Sequence, residues 1–110
     1  MNEDDTLQRQ IADIGTRYLK RTLSEIAELR ACLQEARQGS TEATKQLGRM
    51  AHKIHGSGAM FGFDKLSERA HEIEQLAASA HDEASLARVE EGVSALEREV
   101  REQASLRGVE

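Results

Sequence analysis

Proline is absent from all 110 residues of this chain, and that absence constrains the fold more than any other feature of the sequence. Because proline interrupts helices, a chain that lacks it and has 32% charged residues favours long amphipathic helices over strands and turns. Aromatic residues make up only 3% of the chain, so leucine, isoleucine, valine, alanine and methionine must form the core. We therefore predict an all-α protein.

Apolar residues recur at helical spacing in four segments, which are separated by short polar junctions. The predicted helices run from about Thr16 to Ala36, from Thr41 to Phe61, from Asp64 as N-cap to Ala80, and from near Asp82 to a frayed tail after Gln103. Gly39 is placed to end the first of these helices, and Ser40 or Thr41 to cap the second. Short connections predict an antiparallel up-down four-helix bundle, with a short extra N-terminal helix if the chain breaks at Gly15. At this length we expect residues 1–110 to form a single domain.

The second predicted helix contains a histidine between two glycines. Successive helical residues advance by about 100°, which places the apolar side chains on one face and points His52 away from them into solvent. Gly48 and Gly56 stand one turn before and one turn after His52, and each costs a helix about 1 kcal/mol relative to alanine. A purely structural helix gains nothing from that cost. We therefore interpret the glycines as keeping the space around an outward imidazole open.

The charge around this histidine differs from that of the rest of the chain. Lys45, Arg49 and Lys53 are the only charged residues between Ala43 and Phe63, whereas the formal charge of the whole chain is −5. A local cationic stripe on an acidic chain suits a phosphoryl group or an acidic partner surface. The acidic balance and the scarcity of aromatic residues argue against a nucleic-acid partner.

Residues 52–57 read His-Lys-Ile-His-Gly-Ser, and Gly62 follows a turn and a half later. This stretch resembles the motif of the histidine-containing phosphotransfer (HPt) domains of multistep two-component phosphorelays, which reads His-x-Ile/Leu-Lys-Gly-Ser/Ala with a later glycine. The specific part of the resemblance covers about residues 47–76. It implies a four-helix bundle in which His52 accepts a phosphoryl group and passes it on. The chain departs from the family at His55, where a lysine is usual.

The resemblance also implies a set of site residues and partners. His52 is the expected nucleophile, and Lys53, His55 and Gly56 are expected beside it in the catalytic site. The expected partners are receiver domains of a hybrid histidine kinase or of response regulators, and the receiver supplies Mg²⁺, a lysine and the aspartate. The chain is then a monomeric carrier without a cofactor or small-molecule substrate of its own, and it has no nucleotide-binding motif for ATP chemistry. The expected docking surface consists of Lys45, Gly48, Arg49, Ala59 and Met60.

Two other functions stay open on the sequence alone. The first is a helical protein-interaction module without chemistry. The second is a histidine metal-binding bundle, because His52 and His55 are spaced to share an ion, with His71 or His81 as a further ligand. The stretch around His52 contains neither cysteine nor carboxylate, so we expect no metal site. On this interpretation His71 and His81 are solvated surface residues without a function.

Cys32 is the only cysteine, which excludes an intramolecular disulfide. In a predicted helix we expect it to be a small, partly buried apolar residue. The amino terminus is acidic, and no apolar run approaches the roughly 18 residues that a membrane span requires. We therefore expect neither a secretion signal nor a membrane anchor, and a cytoplasmic location.

Overall fold

The computed structural model describes residues 3–108, which form four α-helices and no β-strand. The helices are α1 (Glu3–Arg37), α2 (Thr41–Met60), α3 (Asp64–Ala78) and α4 (Glu83–Leu106). Each helix packs against the next one along the chain, and α1 also packs against α4, whereas diagonal pairs within the described range have no close backbone approach. This closed order confirms the predicted four-helix bundle. None of these four helices combines the length and the apolar character needed to cross a membrane.

The first helix is continuous over 35 residues, so the predicted break at Gly15 and a separate N-terminal helix are not observed. Gly15 is buried, and a Cβ atom at this position would lie 3.1 Å from Nη1 of Arg107. One glycine costs a helix only about 1 kcal/mol, which is too little to end it without a second breaker. Residues 3–14 therefore extend α1 beyond the bundle, with their side chains exposed.

Side-chain caps fix the start of α2 and of α4. Gly39 has a left-handed φ of +99°, and the Ser40 side chain accepts a hydrogen bond from the backbone N–H of Ala43 at 3.1 Å, as predicted. At the start of α4, Asp82 and Ser85 form a capping box in which each side chain bonds the backbone of the other residue. The capping box therefore fixes the α3–α4 junction, where glycine is absent.

The start of α3 and the end of α4 differ from the prediction. Asp64 is the first helical residue of α3, and the N-cap position belongs to Phe63, which makes no capping hydrogen bond. Phe63 is only 7% exposed, so burial of its ring fixes this helix start where a polar cap was expected. At the other end, α4 continues past Gln103 to Leu106 because the side chain of Ala104 is fully buried.

The core is almost entirely aliphatic, as the composition predicts. Of the two described methionines, Met50 is partly buried against the core, whereas Met60 is 80% exposed. Cys32 is buried and its thiol donates to the backbone oxygen of Ala43 at 3.0 Å, while burial raises the pKa of this thiol and makes it a poor nucleophile. The largest fully buried aliphatic side chains are Leu19, Leu29, Leu47, Ile54, Leu66, Ile73, Val89, Val93, Leu96 and Val100.

The three aromatic residues of the chain meet at one end of the bundle. The ring of Tyr18 on α1 stacks on Phe61 and Phe63, with centroids 4.7 Å and 5.6 Å away. The Tyr18 hydroxyl also lies 2.9 Å from Oγ of Ser57 on α2. This aromatic cluster fixes the end of α2 against α1 and thereby holds the helix that carries His52.

Candidate functional site

His52 lies near the middle of α2, and its side chain is 71% exposed. Ala51 beside it, and Leu47 and Ile54 on the opposite face, are at most 1% exposed. The apolar side of α2 packs into the bundle and leaves the imidazole in solvent. The predicted outward orientation is therefore confirmed, and a core histidine is excluded.

Gly48 and Gly56 leave open space on both sides of His52. A Cβ atom added at Gly56 would meet no atom within 4 Å, and one added at Gly48 would meet only Cβ of Ala77, at 4.0 Å. Gly58 is different, because a Cβ atom there would lie 3.0 Å from a leucine side chain of α3. Packing within the bundle thus explains Gly58 but neither of the two glycines that flank the histidine.

Glu74 on α3 is the hydrogen-bond partner of His52, although the two residues are 22 positions apart in the chain. Oε2 of Glu74 lies 2.8 Å from Nδ1 of His52. Burial raises the pKa of the Glu74 carboxyl, but hydrogen bonds from His52 and His71 outweigh burial and hold this pKa below its ordinary value. Because an ionised carboxylate only accepts hydrogen bonds, Nδ1 of His52 carries a proton, and in the neutral ring Nε2 keeps its lone pair.

His55 and His71 complete a cluster around the same carboxylate. Their ring centroids are 4.5 Å apart, and their Nδ1 atoms lie 3.7 Å and 3.4 Å from Oε1 of Glu74. The His71 side chain is 46% exposed, so it lies at the surface as expected, but the packing of α3 against α2 also brings it into contact with Glu74 and His55. His81 matches the expectation better, since its side chain is 78% exposed and lies outside this cluster.

The packing of α3 on α2 creates this arrangement. His71 and Glu74 each directly follow a fully buried residue of α3, so they lie at the border of its apolar stripe, beside α2. Below them, the Ser67 hydroxyl donates a 2.7 Å hydrogen bond to the backbone oxygen of His55 and fixes the two helices at this level. We call the group formed by His52, His55, His71 and Glu74 the histidine–glutamate cluster.

The basic residues do not form the uninterrupted cationic stripe that the sequence suggests. Arg49 pairs with Glu42 at 2.6 Å, and in space Glu74 stands beside His52. Lys45 and Lys53 are exposed and form no salt bridge with any described residue. No carboxylate lies between Ala43 and Phe63 in the sequence, but Glu42 and Glu74, from outside that interval, lie beside its basic residues and His52.

The structure divides the expected docking residues between two places. A groove of about 950 Å³ runs along α2 beside His52 and includes the expected residues Lys45, Gly48 and Arg49. Ala59 and Met60 are exposed nearer the end of α2 and do not line this groove. The exposed surface around His52 therefore extends in both directions along the helix.

The lack of a carboxylate around His52 in sequence was the reason to expect no metal site, and the fold removes that reason. No carboxylate stands near His52 in sequence, yet α3 brings Glu74 to it. One ligand atom each of His52, His55 and Glu74 lies within 4.8 Å of the others, which is close enough for a shared ion.

Comparison with known proteins identifies the family. Neither the curated proteins nor the solved structures contain a match to this chain. The sequence profile of the Hpt domain does match it, over residues 17–103. Hpt domains are helical bundles that act in histidine phosphotransfer in phosphorelays, where they interact with receiver domains and carry phosphoryl groups without kinase activity. Because the match spans most of the 110 residues and includes the motif at His52, the chain belongs to the Hpt domain family.

Proposed function

We propose that His52 is a phosphorelay intermediate: it accepts a phosphoryl group from the aspartyl phosphate of one receiver domain and passes it to the aspartate of another. The observation that supports this most directly is the bond between Nδ1 of His52 and Glu74, on an imidazole that is otherwise exposed. That bond leaves Nε2 facing solvent as the nucleophilic atom of the neutral ring. The chain acts as a carrier rather than as an enzyme with its own substrate.

In the accepting step, Nε2 of His52 attacks the phosphorus atom, the N–P bond forms, and the bond to the aspartyl oxygen breaks to release the carboxylate. The Nδ1 proton stays on the ring, so positive charge develops on the imidazole as the bond forms. The carboxylate of Glu74, 2.8 Å from Nδ1, is placed to stabilise that charge. The reverse sequence of bond changes passes the group to the second receiver.

Phosphoryl transfer depends mainly on alignment and on neutralisation of charge in a loose transition state. On this chain Lys53 and Lys45 are the cations that remain available, and His55 adds charge when it is protonated. Arg49 is held by Glu42 and must leave that pair before it can contribute. The receiver supplies Mg²⁺ and its own lysine in this proposal, so the carrier needs no cofactor.

The open space at Gly48 and Gly56 gives a receiver access to both sides of the imidazole. The groove beside His52 and the exposed Ala59 and Met60 form the proposed docking surface. In this proposal the protein is a single-domain monomer in the cytoplasm. One docking surface serves both receivers, because the donor and the acceptor bind to it in turn.

The test is incubation of the protein with phosphorylated receivers, followed by measurement of the acid and base stability of the transferred label. We expect an acid-labile, base-stable phosphohistidine in the native protein and in His81→Gln, and none in His52→Gln. The melting temperature of His52→Gln should stay close to native, because an exposed side chain contributes little packing. Labelling of His52→Gln would contradict the assignment, and label in neither native protein nor control would favour the non-catalytic interaction module.

A further inference from the structure

The histidine–glutamate cluster contains more ligand groups than the attack of His52 on phosphorus uses. His52 supplies the nucleophile and Glu74 orients it, but His55 and His71 also direct their Nδ1 atoms toward the same carboxylate. Two imidazoles from α2 and one from α3 therefore surround one carboxylate at the surface. This combination of nitrogen and oxygen donors is typical of a site for a divalent transition metal.

The distances in the cluster are close to those that a metal requires. Zn–N and Zn–O bonds of about 2.0–2.2 Å limit two ligands of one ion to a separation of about 4.4 Å. Nδ1 of His52 and Nδ1 of His55 lie 2.8 Å and 3.7 Å from the two oxygens of Glu74. One ligand atom from each of these three residues lies within 4.8 Å of the others, so small side-chain rotations bring the three within reach of one ion.

Three members of the cluster, His52, His55 and Glu74, are placed to bind a metal directly, and the fourth, His71, is placed to orient Glu74. His71 hydrogen-bonds Oε1 of Glu74 at 3.4 Å and packs its ring 4.5 Å from that of His55, so it is placed to orient the ligating carboxylate. The side chain of His52 is 71% exposed, so solvent can complete the coordination. Lys53 is a nearby positive charge that opposes cation binding, and Glu74 is the negative charge that offsets it.

We propose that His52, His55 and Glu74 bind one Zn²⁺ ion, or a similar nitrogen-preferring divalent cation, when His52 is not phosphorylated. Two imidazoles favour Zn²⁺ over Mg²⁺, which takes oxygen ligands and retains its water. The site thus differs in metal preference and in location from the Mg²⁺ site on the receiver.

Occupation of this site has a consequence that rests on the proposed function. When the metal takes the lone pair of Nδ1, the proton of the neutral ring resides on Nε2, which then has no lone pair for attack on phosphorus. The metal-bound protein is therefore unable to accept a phosphoryl group. Zinc and the phosphoryl group exclude each other at His52.

The binding test uses the unphosphorylated 110-residue chain without a histidine tag. It is titrated with Zn²⁺ alone by calorimetry at neutral pH, and with Co²⁺ by visible absorption. We expect one ion per chain with a micromolar or lower Kd, and a weakening of about 10-fold to 100-fold or more in His55→Gln and Glu74→Gln. His81→Gln should bind as the native protein does. The Co²⁺ spectrum should lack a thiolate charge-transfer band, because the only cysteine is buried.

Absence of stoichiometric binding, or equal affinity in His55→Gln and native protein, would overturn the proposal. Circular dichroism of each variant verifies that its helices are intact. The titration requires no phosphoryl donor, so the two experiments are independent. Absence of zinc binding would not contradict phosphotransfer by His52, and absence of phosphotransfer would not contradict zinc binding. The mutual exclusion of zinc and the phosphoryl group is tested by measuring the labelling rate of each variant without and with Zn²⁺. Equal rates for native protein with and without bound zinc would contradict it.

Discussion

His52 on α2 and Glu74 on α3 are joined by a hydrogen bond of 2.8 Å between Nδ1 and Oε2. The bond orients the imidazole without covering it, because Glu74 approaches from α3 while the rest of the ring stays in solvent. It also sets the tautomer of the neutral ring. A residue 22 positions away thus decides which nitrogen of the neutral His52 ring keeps its lone pair.

Replacement of Glu74 by glutamine should slow phosphoryl acceptance. The amide oxygen can still accept a hydrogen bond from the Nδ1–H group of His52, but the negative charge that stabilises the developing imidazolium is lost. Charged hydrogen bonds exceed neutral ones by about 1 kcal/mol, so we expect a rate reduction of about 3-fold to 10-fold. The measurement is the initial rate of label transfer from one phosphorylated receiver.

Glu72→Gln is the matched control, because Glu72 lies on the same helix but pairs with Arg69 away from His52. Glu74→Ala should be slower than Glu74→Gln, since it removes orientation as well as charge. Equal rates for native protein and Glu74→Ala would show that the hydrogen bond plays no part in transfer.

Substitution of Gly56 by leucine should stabilise the protein and slow the transfer. The position is open, so the leucine improves helix propensity by roughly 0.5 to 1 kcal/mol without a clash. Its side chain then obstructs the approaching receiver, and we expect a rate reduction of about 10-fold to 100-fold. Stability is measured by urea unfolding and transfer by the labelling rate.

Two further variants separate stability from obstruction at this position. Gly56→Ala should gain a similar stability while transferring nearly as fast as native protein. Gly58→Ala should be less stable than native protein, because its Cβ atom would lie 3.3 Å from the Ser67 backbone. If Gly56→Leu transfers at the native rate, the open space beside His52 is not an approach path.

Replacement of His55 by lysine should change the pH dependence of transfer. Lysine stays charged up to about pH 10, whereas a histidine side chain in a model peptide loses its charge near about pH 6.5. The rate of His55→Lys relative to native protein should therefore rise from about pH 6 to about pH 8.5 with the same receiver. Effects of His52 and of the receiver largely cancel in this ratio. A flat ratio would assign neutralisation of the phosphate to Lys53, to Arg49 or to the receiver alone.

The pair of Arg30 and Glu97, which joins α1 to α4 at 2.7 Å, should make stability depend on acidity. The hydrogen bond from Arg30 holds the pKa of Glu97 below its ordinary value, although burial opposes it. A lowered folded-state pKa stabilises the protein above the unfolded-state value of about 4.3, and this contribution is lost as the pH falls through the folded-state value.

The corresponding variant is Arg30→Gln, with Arg21→Gln as a control in a more exposed pair. Near neutral pH, the free energy of unfolding of Arg30→Gln should be lower than that of native protein, but by less than about 1 kcal/mol. The effect is small because the side chains of Arg30 and Glu97 are both partly exposed. The difference should shrink as the pH falls below about 4. A difference that stays constant between neutral and acidic pH would mean that the ion pair does not stabilise the folded state.

The sequence was sufficient for the features that depend on local periodicity. Apolar spacing and the absence of proline predict four helices, and the same spacing turns His52 outward because Leu47 and Ile54 must be buried. Ser40 and Gly39 predict the α1–α2 turn from their own conformational preferences. The family could also be recognised from the sequence, because the residues of its motif adjoin one another on a single helix, and the profile match over residues 17–103 confirms it.

Features that depend on contact between helices were not predicted. Glu74 and His71 are spaced at i and i+3, so they share one face of α3, but only the packing of α3 on α2 places that face beside His52. The contact of His71 with Glu74 was missed for this reason. At Gly15 the error was energetic, since a single glycine costs a helix only about 1 kcal/mol, which is too little to break it.

The aromatic cluster at the end of the bundle also determines what optical spectroscopy can report. Tyr18 is the only tyrosine, and the chain has no tryptophan, so nearly all near-ultraviolet dichroism and intrinsic fluorescence originates where Tyr18 stacks on Phe61 and Phe63. Far-ultraviolet dichroism, in contrast, averages over all four helices. Two melting curves that coincide would indicate a single cooperative unit, whereas an earlier loss of the tyrosine signal would reveal that α1 separates from the end of α2 before the remaining helices unfold.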